Sequence, residues 1–179
     1  MKIASSLALL LLLIGVCSGQ TENEPAWKVD DVRVKDTPEH KAVKGFGALL
    51  IVIRDPQAFI RMWQRPEMPR FDSAKVVSFD EKIGIITLFA GCKPAENGVC
   101  DTEVDYRIDD PTGKIVVERK KQPLWKKQAP PAKNTHLGEA VLAITPNRKL
   151  PIGMYKVTAK VYDINSNVSF ELETQFELR

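Results

Sequence analysis

The clearest pattern of apolar and polar positions lies in the last thirty residues. Tyr155, Val157, Ala159 and Val161 alternate with polar positions up to the turn formers Asn165-Ser166-Asn167. Beyond them Val168, Phe170, Leu172, Phe176 and Leu178 alternate with Ser169, Glu171, Glu173, Gln175 and Glu177. A period of two gathers those glutamates on one face of a strand, whereas a helical period would scatter them around the circumference. The pattern predicts a β-hairpin with Phe170, Leu172 and Phe176 in the core and Glu171, Glu173 and Glu177 in solvent.

The same reading carries back along the chain. Residues 46–53 (FGALLIVI) form a continuous apolar run of strand length, the mark of a buried strand. Asp55-Pro56 then offers an N-cap with proline at the first helical position, and Phe59, Met62 and Trp63 fall on one helical face. One short helix over 56–64 is predicted, ended by Pro66 and Pro69. Residues 76–79 and 83–89 read as strands. In 102–108, Val104, Tyr106 and Ile108 alternate with charged residues, as in a half-buried strand. Asp109-Asp110-Pro111-Thr112-Gly113 is a turn, and 114–118 returns as its hairpin partner. Residues 122–134, rich in proline and lysine, read as loop; 136–144 reads as strand and 146–151 as turn. Residues 20–44 are charged and weakly patterned, apart from a short alternation over 29–34. They read as an extended N-terminal arm, or one edge strand, leading into a domain over 45–179. Many short strands with turns between them indicate a mainly β, antiparallel β-sandwich with one short helix.

The first residues follow a different rule. Met1-Lys2 is a basic start, residues 7–16 are almost wholly apolar with a five-leucine run, and Cys17-Ser18-Gly19 is small before polarity returns at Gln20. These are the three parts of a secretory signal peptide, placed over 1–19 with cleavage after Gly19. The apolar run is shorter than the roughly 20 residues of a membrane span. Lipidation at Cys17 is the lesser alternative, since Val16 stands where lipid-attachment signals carry a small residue. The expected location is therefore exported, periplasmic or secreted. Loss of Lys2 with the leader leaves 25 basic against 23 acidic side chains, a net charge of +2. That balance calls for neither nucleic acid nor an anionic membrane as partner, and allows membrane contact only at the surface.

Export changes the meaning of the cysteines. Cys92 and Cys100 remain after cleavage, separated by seven residues that include the turn formers Pro94 and Asn97-Gly98. An oxidising compartment and an even count point to a disulfide. A zinc pair would need closer spacing and further ligands, and His40 and His136 stand alone in the sequence.

Residues 151–163 (PIGMYKVTAKVYD) resemble the penultimate strand of immunoglobulin-like domains of exported bacterial proteins. The resemblance implies an immunoglobulin-like sandwich in which the hydroxyl of Tyr155 bonds back to the backbone at a strand corner. Val157 stands where antibody domains have cysteine, so the inter-sheet disulfide of those domains is not implied. Gly91-Cys92 and Cys100-Asp101 are similar to a segment of uncharacterised exported bacterial proteins. Such likeness implies a fold and a compartment, not an activity.

Catalytic chemistry has little foothold. His40 and His136 have no nucleophile motif around them, Asp109-Asp110 belongs to a turn, and phosphate-loop, dinucleotide and zinc-protease motifs are missing from the sequence. The expectation is a non-enzymatic chain without cofactor or metal. Two features qualify as contact surfaces. One is the basic stretch Arg119, Lys120, Lys121, Trp125, Lys126 and Lys127, in which cations flank an aromatic ring. The other is the Cys92–Cys100 loop, rigid if bridged. Together they suggest an interaction module for a protein or envelope component. The alternatives are an inhibitor of an envelope hydrolase or protease acting through that loop, and an enzyme whose residues carry no known motif.

Overall fold

The computed structural model describes residues 28–29, 32–65, 71–132 and 134–179. The expected signal peptide, its cleavage point and Cys17 lie outside the described residues. The chain is mainly β and forms two sheets packed face to face, antiparallel except where Val76–Val77 pairs in parallel with the last strand, beside a short ladder between β1 (Lys28–Val29) and β2 (Val32–Arg33). One sheet has four strands in the order β3 (His40–Val43), β4 (Phe46–Arg54), β6 (Ile83–Ala90) and β9 (His136–Ile144). The other has five, β5 (Val76–Val77), β11 (Val168–Leu178), β10 (Gly153–Asp163), β7 (Thr102–Asp109) and β8 (Ile115–Trp125). This is the sandwich that the alternating strands predict. Within the stretch read as an arm or edge strand, β3 takes the edge position beside β4.

The apolar runs of β4 and β6 are continuous because both of their faces are buried. Ala48, Leu50 and Val52 of β4, with Ile83, Ile85 and Phe89 of β6, enter the core between the sheets. Ile51, Ile53, Ile86 and Leu88 point the other way, under helix α1 (Pro56–Trp63). The Asp55 carboxylate caps that helix by accepting the Ala58 N–H at 3.0 Å. Phe59 is buried between Trp63 and Phe71, with ring centroids 5.7 and 5.3 Å away. The helix sits so close to the sheet that a Cβ on Gly84 would lie 2.8 Å from Pro56 Cβ, which is why β6 carries glycine there.

Two expectations need correction. Residues 122–125 are not loop but the end of β8, whose register with β7 runs on through Val104↔Gln122, Glu103↔Pro123 and Thr102↔Trp125. Proline is tolerated because β8 is the edge of its sheet, where a missing N–H need not break a ladder. Phe170 is half-buried rather than core. It packs on Phe46 at 5.7 Å on the margin of the apolar cluster. Leu172, Thr174 and Phe176 are buried and Glu171 is exposed, but Glu173 and Glu177 are half-buried and paired with Lys156 and Arg179.

One polar strut crosses the core. Tyr106 of β7 donates to the Ala140 carbonyl of β9 at 3.1 Å, and its oxygen lies 2.9 Å from Thr87 Oγ1 of β6. The ladder between β6 and β9 shifts register at Thr87. The Ala140 carbonyl is thereby satisfied from the opposite sheet, as a buried acceptor must be. Burial pushes the Tyr106 phenol well above its ordinary pKa, so it stays a donor.

Candidate functional site

Cys92 follows β6 and Cys100 precedes β7, and the two are bridged with their Cα atoms 6.1 Å apart. Between them Ala95 N–H donates to Val99 O, and Gly98 N–H to Ala95 O, each at 2.9 Å. The Asn97 side chain accepts the Val99 N–H. Gly98 has φ +79°, the left-handed conformation that its place in the turn requires. The loop is therefore a closed turn whose backbone groups are largely spoken for.

Neighbouring elements hold it from both flanks. In the turn after β10, Asn165 Nδ2 donates to Lys93 O at 2.9 Å and to Val99 O at 3.0 Å. The buried carboxylate of Asp163 accepts the Lys93 N–H at 2.9 Å. On the other flank, Cys100 N–H donates to Lys127 O, Ala129 N–H donates to Gly98 O, and Gln128 Nε2 donates to Asn97 O. The five residues from Lys93 to Asn97 are all exposed on this frame.

The same contacts bring together two features that lie apart in the sequence. The disulfide loop abuts the end of the basic stretch, Trp125, Lys126 and Lys127. Trp125 is half-buried. Its ring packs on Phe89 at 5.5 Å and His136 at 6.1 Å, and its Nε1–H donates to Gln128 O. Lys127 lies over that ring at 4.4 Å and pairs with Glu139 at 2.6 Å. Lys126 pairs with Glu103 and Asp101 at 2.7 and 2.9 Å, which holds its ammonium above the ordinary lysine value.

Arg119, Lys120 and Lys121 lie further along β8, where Arg119 is opposite Tyr106. Lys121 has φ 51°, a left-handed conformation that a side chain adopts only when it is held there. The Asp105 carboxylate supplies the hold by accepting the Lys121 N–H at 2.6 Å, while Tyr162 donates to its other oxygen at 2.9 Å. Burial and that carboxylate push the Tyr162 phenol up to about 12. Lys120 pairs with Glu118, and Arg119 donates to the Glu118 carbonyl. The basic stretch thus runs along an edge strand as far as Trp125, with Lys126 and Lys127 just beyond it, and three of its five cations are already matched to carboxylates.

The residues set aside for catalysis have structural partners. His136 Nε2 lies 3.1 Å from Pro131 O, and His40 Nδ1 lies 3.0 Å from Thr37 Oγ1. Asp110 closes the turn before β8 by accepting from Thr112 N–H, Thr112 Oγ1–H and Lys114 N–H. These bonds, the Thr112 hydroxyl first, hold its carboxyl below the ordinary aspartate value. Sequence reasoning missed the bracing roles of Asp163, Asn165 and Gln128. Asn165 carried a turn signal only, and Asp163 looked like a strand terminus.

The chain matches no known protein-family model and no curated protein. Among solved structures it is similar to a family 123 glycoside hydrolase from Clostridium perfringens, at 8% identity and TM-score 0.44. That match covers 74% of this chain and 27% of the hydrolase. A CARDB domain from Pyrococcus furiosus matches at 14% identity and TM-score 0.37, over 74% of this chain and 89% of that domain. The Pseudomonas fluorescens alkylpurine DNA glycosylase AlkC matches at 17% identity and TM-score 0.37, over 73% of this chain and 30% of the glycosylase. At this level of likeness no activity passes from any of them to this chain.

Proposed function

We propose that this chain is an exported, non-enzymatic interaction module whose contact surface is the disulfide-braced end of the sandwich. The supporting observation is the run of five exposed residues, Lys93 to Asn97, on a loop fixed by a covalent bridge and by hydrogen bonds from Asn165, Asp163 and Gln128. A loop ordered before binding avoids the roughly 0.5–1.5 kcal/mol that immobilising each flexible side chain costs. Trp125, Lys126 and Lys127 border it and enlarge the surface with an aromatic edge and two cations. The partner is a protein or an envelope component. Export rests on the leader pattern of residues 1–19.

Site-specific photocrosslinking tests the surface. A crosslinker at Asn97 is expected to capture one partner that a crosslinker at Gln175, on an exposed strand position, does not. The adduct should fall in the Cys92→Ala/Cys100→Ala double variant while the fold, read by circular dichroism, persists. Equal adducts from both positions would refute the assignment. Intact-mass measurement of exported material tests the leader, with Gln20 expected as the first residue.

A further inference from the structure

At the opposite end of the sandwich the two sheets part around an apolar cavity of about 320 Å³. Its walls include Ile108, Val116, Val117, Ile144, Leu150 and Phe176. A strand irregularity makes it. Ile108 pairs with Val117 and Asp109 with Ile115, so Val116 is an extra residue without a partner. Val116 and Val117 therefore both pack against the core instead of alternating. Leu150 of the β9–β10 connection, half-buried, lines the same space. Tyr155 also lines the space, but its hydroxyl donates its hydrogen to the Pro151 carbonyl at 2.8 Å and has none left for a carboxylate. Of the lining side chains only Thr145 and Asn147 are polar.

A second observation concerns the surface at this end. Ile115, Ile152 and Met154 are 45%, 67% and 45% exposed. All three flank the same turns, since a Cβ on Gly153 would touch Pro111 of the β7–β8 turn. Lys149, next to Leu150, is exposed and, among the described residues, in no ion pair; Lys114, next to Ile115, is exposed too, but its charge acts on the neighbouring Asp110 carboxylate. Arg148 is spread over Phe79 and lies 3.7 Å from Asp80. The end thus combines an apolar-walled cavity, an apolar rim and one unpaired cation, Lys149.

We propose that this cavity binds the alkyl chain of a single anionic amphiphile, a fatty-acid carboxylate, with its tail between Val116 and Leu150 and its head at Lys149. The volume falls at the small end of the roughly 300–1,000 Å³ of ligand pockets, which suits a short or medium chain. This site lies at the end of the sandwich opposite the proposed contact loop and stands independently of that reading.

The test titrates the full chain with hexanoate, heptanoate, octanoate and decanoate below their aggregation limits, by calorimetry and by methyl NMR. Affinity should rise about fourfold per added methylene, the factor that about 0.8 kcal/mol of burial gives, and level off when the cavity is full. Methyl shifts should concentrate on Val116, Val117, Ile144 and Leu150. Leu150→Trp should cut affinity at least tenfold by filling the space. If that variant fails to fold, Val116→Phe serves the same purpose. Lys149→Ala should weaken octanoate several-fold and leave octanol unchanged. Affinity without chain-length dependence, shifts centred on Leu49, Leu137 and Val141 of the helix-covered sheet, or binding to anionic vesicles but not to monomeric acid would each overturn the proposal.

Discussion

At one end of the sandwich the 92–100 loop is fixed by a covalent bridge, two Asn165 hydrogen bonds and the Asp163 carboxylate. At the other end the strands separate around apolar volume, and the corner is fastened by the Tyr155 hydroxyl. The first arrangement specifies backbone position while leaving the side chains of 93–97 outward. The second specifies little beyond the walls and leaves unfilled space inside. A module that must present a fixed shape and a module that must admit a variable one need these opposite solutions, and here one core carries both. The difference lies in where the cohesion comes from. The braced end relies on few directional contacts, the open end on dispersed burial.

The largest effect should come from the open end. Phe176 is buried and stacked on Tyr155 at 5.2 Å, so Phe176→Ala is expected to cost about 3–5 kcal/mol in denaturant unfolding. Phe170→Ala, on the half-buried margin, should cost clearly less. If the two are equal, Phe170 is core and the burial pattern of β11 is wrong.

The double substitution Cys92→Ala/Cys100→Ala should cost about 2–3 kcal/mol, since the bridge closes a short loop. The loss should be confined to the braced end. Amide exchange should quicken over 93–99 and remain slow in β10 and β11. Uniform quickening would mean that the two ends are not separate units of stability.

Tyr155→Phe keeps the ring and removes one hydrogen bond, so about 1 kcal/mol is expected from the melting transition. An unchanged midpoint would show that the corner is fastened by packing alone.

The smallest effect is a pH dependence at the open end. The Asp110 carboxyl titrates below its ordinary value in the folded chain because Thr112 and Lys114 donate to it. A depressed folded value means that its contribution is complete above the ordinary aspartate pKa and lost as pH falls through the folded one. Asp110→Asn should therefore flatten stability between those two values in acid and leave the neutral-pH slope untouched. A difference that appeared only above neutrality would contradict the assignment.

Alternation made β7, β10 and β11 legible, because each has one face in the core and one in solvent, so the polarity of the chain records the fold directly. Tyr155 was legible for a related reason, since its corner is a local device within five residues. The helix could be placed from Asp55-Pro56 and its apolar stripe. The last part of β8 was not legible. Its composition describes an exposed edge, and exposed edges and loops are polar for the same reason. Phe170 misled because period two assigns a face but not a depth, and its position faces the margin of the sandwich. At the candidate surface the two cysteines announced their bridge by number and spacing. The union of their loop with Trp125 and Lys127 depends on contacts between distant segments, and the cavity depends on one unpaired residue, Val116. Neither has a composition of its own.

The edge strand β8 has a consequence for how many copies of this chain can share a small volume. A long edge strand with one side unpaired is an invitation to other strands, and repeated edge-to-edge addition of copies leads toward fibres. Here the invitation is withdrawn along most of its length. Three register shifts bend the ladder, Pro123 lacks an amide hydrogen, and Arg119, Lys120 and Lys121 stand exposed. A second copy arriving at this edge meets a crooked template and its own like charge. Concentrated solutions are therefore expected to remain free of β-rich polymers, and the protein that should polymerise is the one in which these cations and the proline have been replaced by threonine and valine.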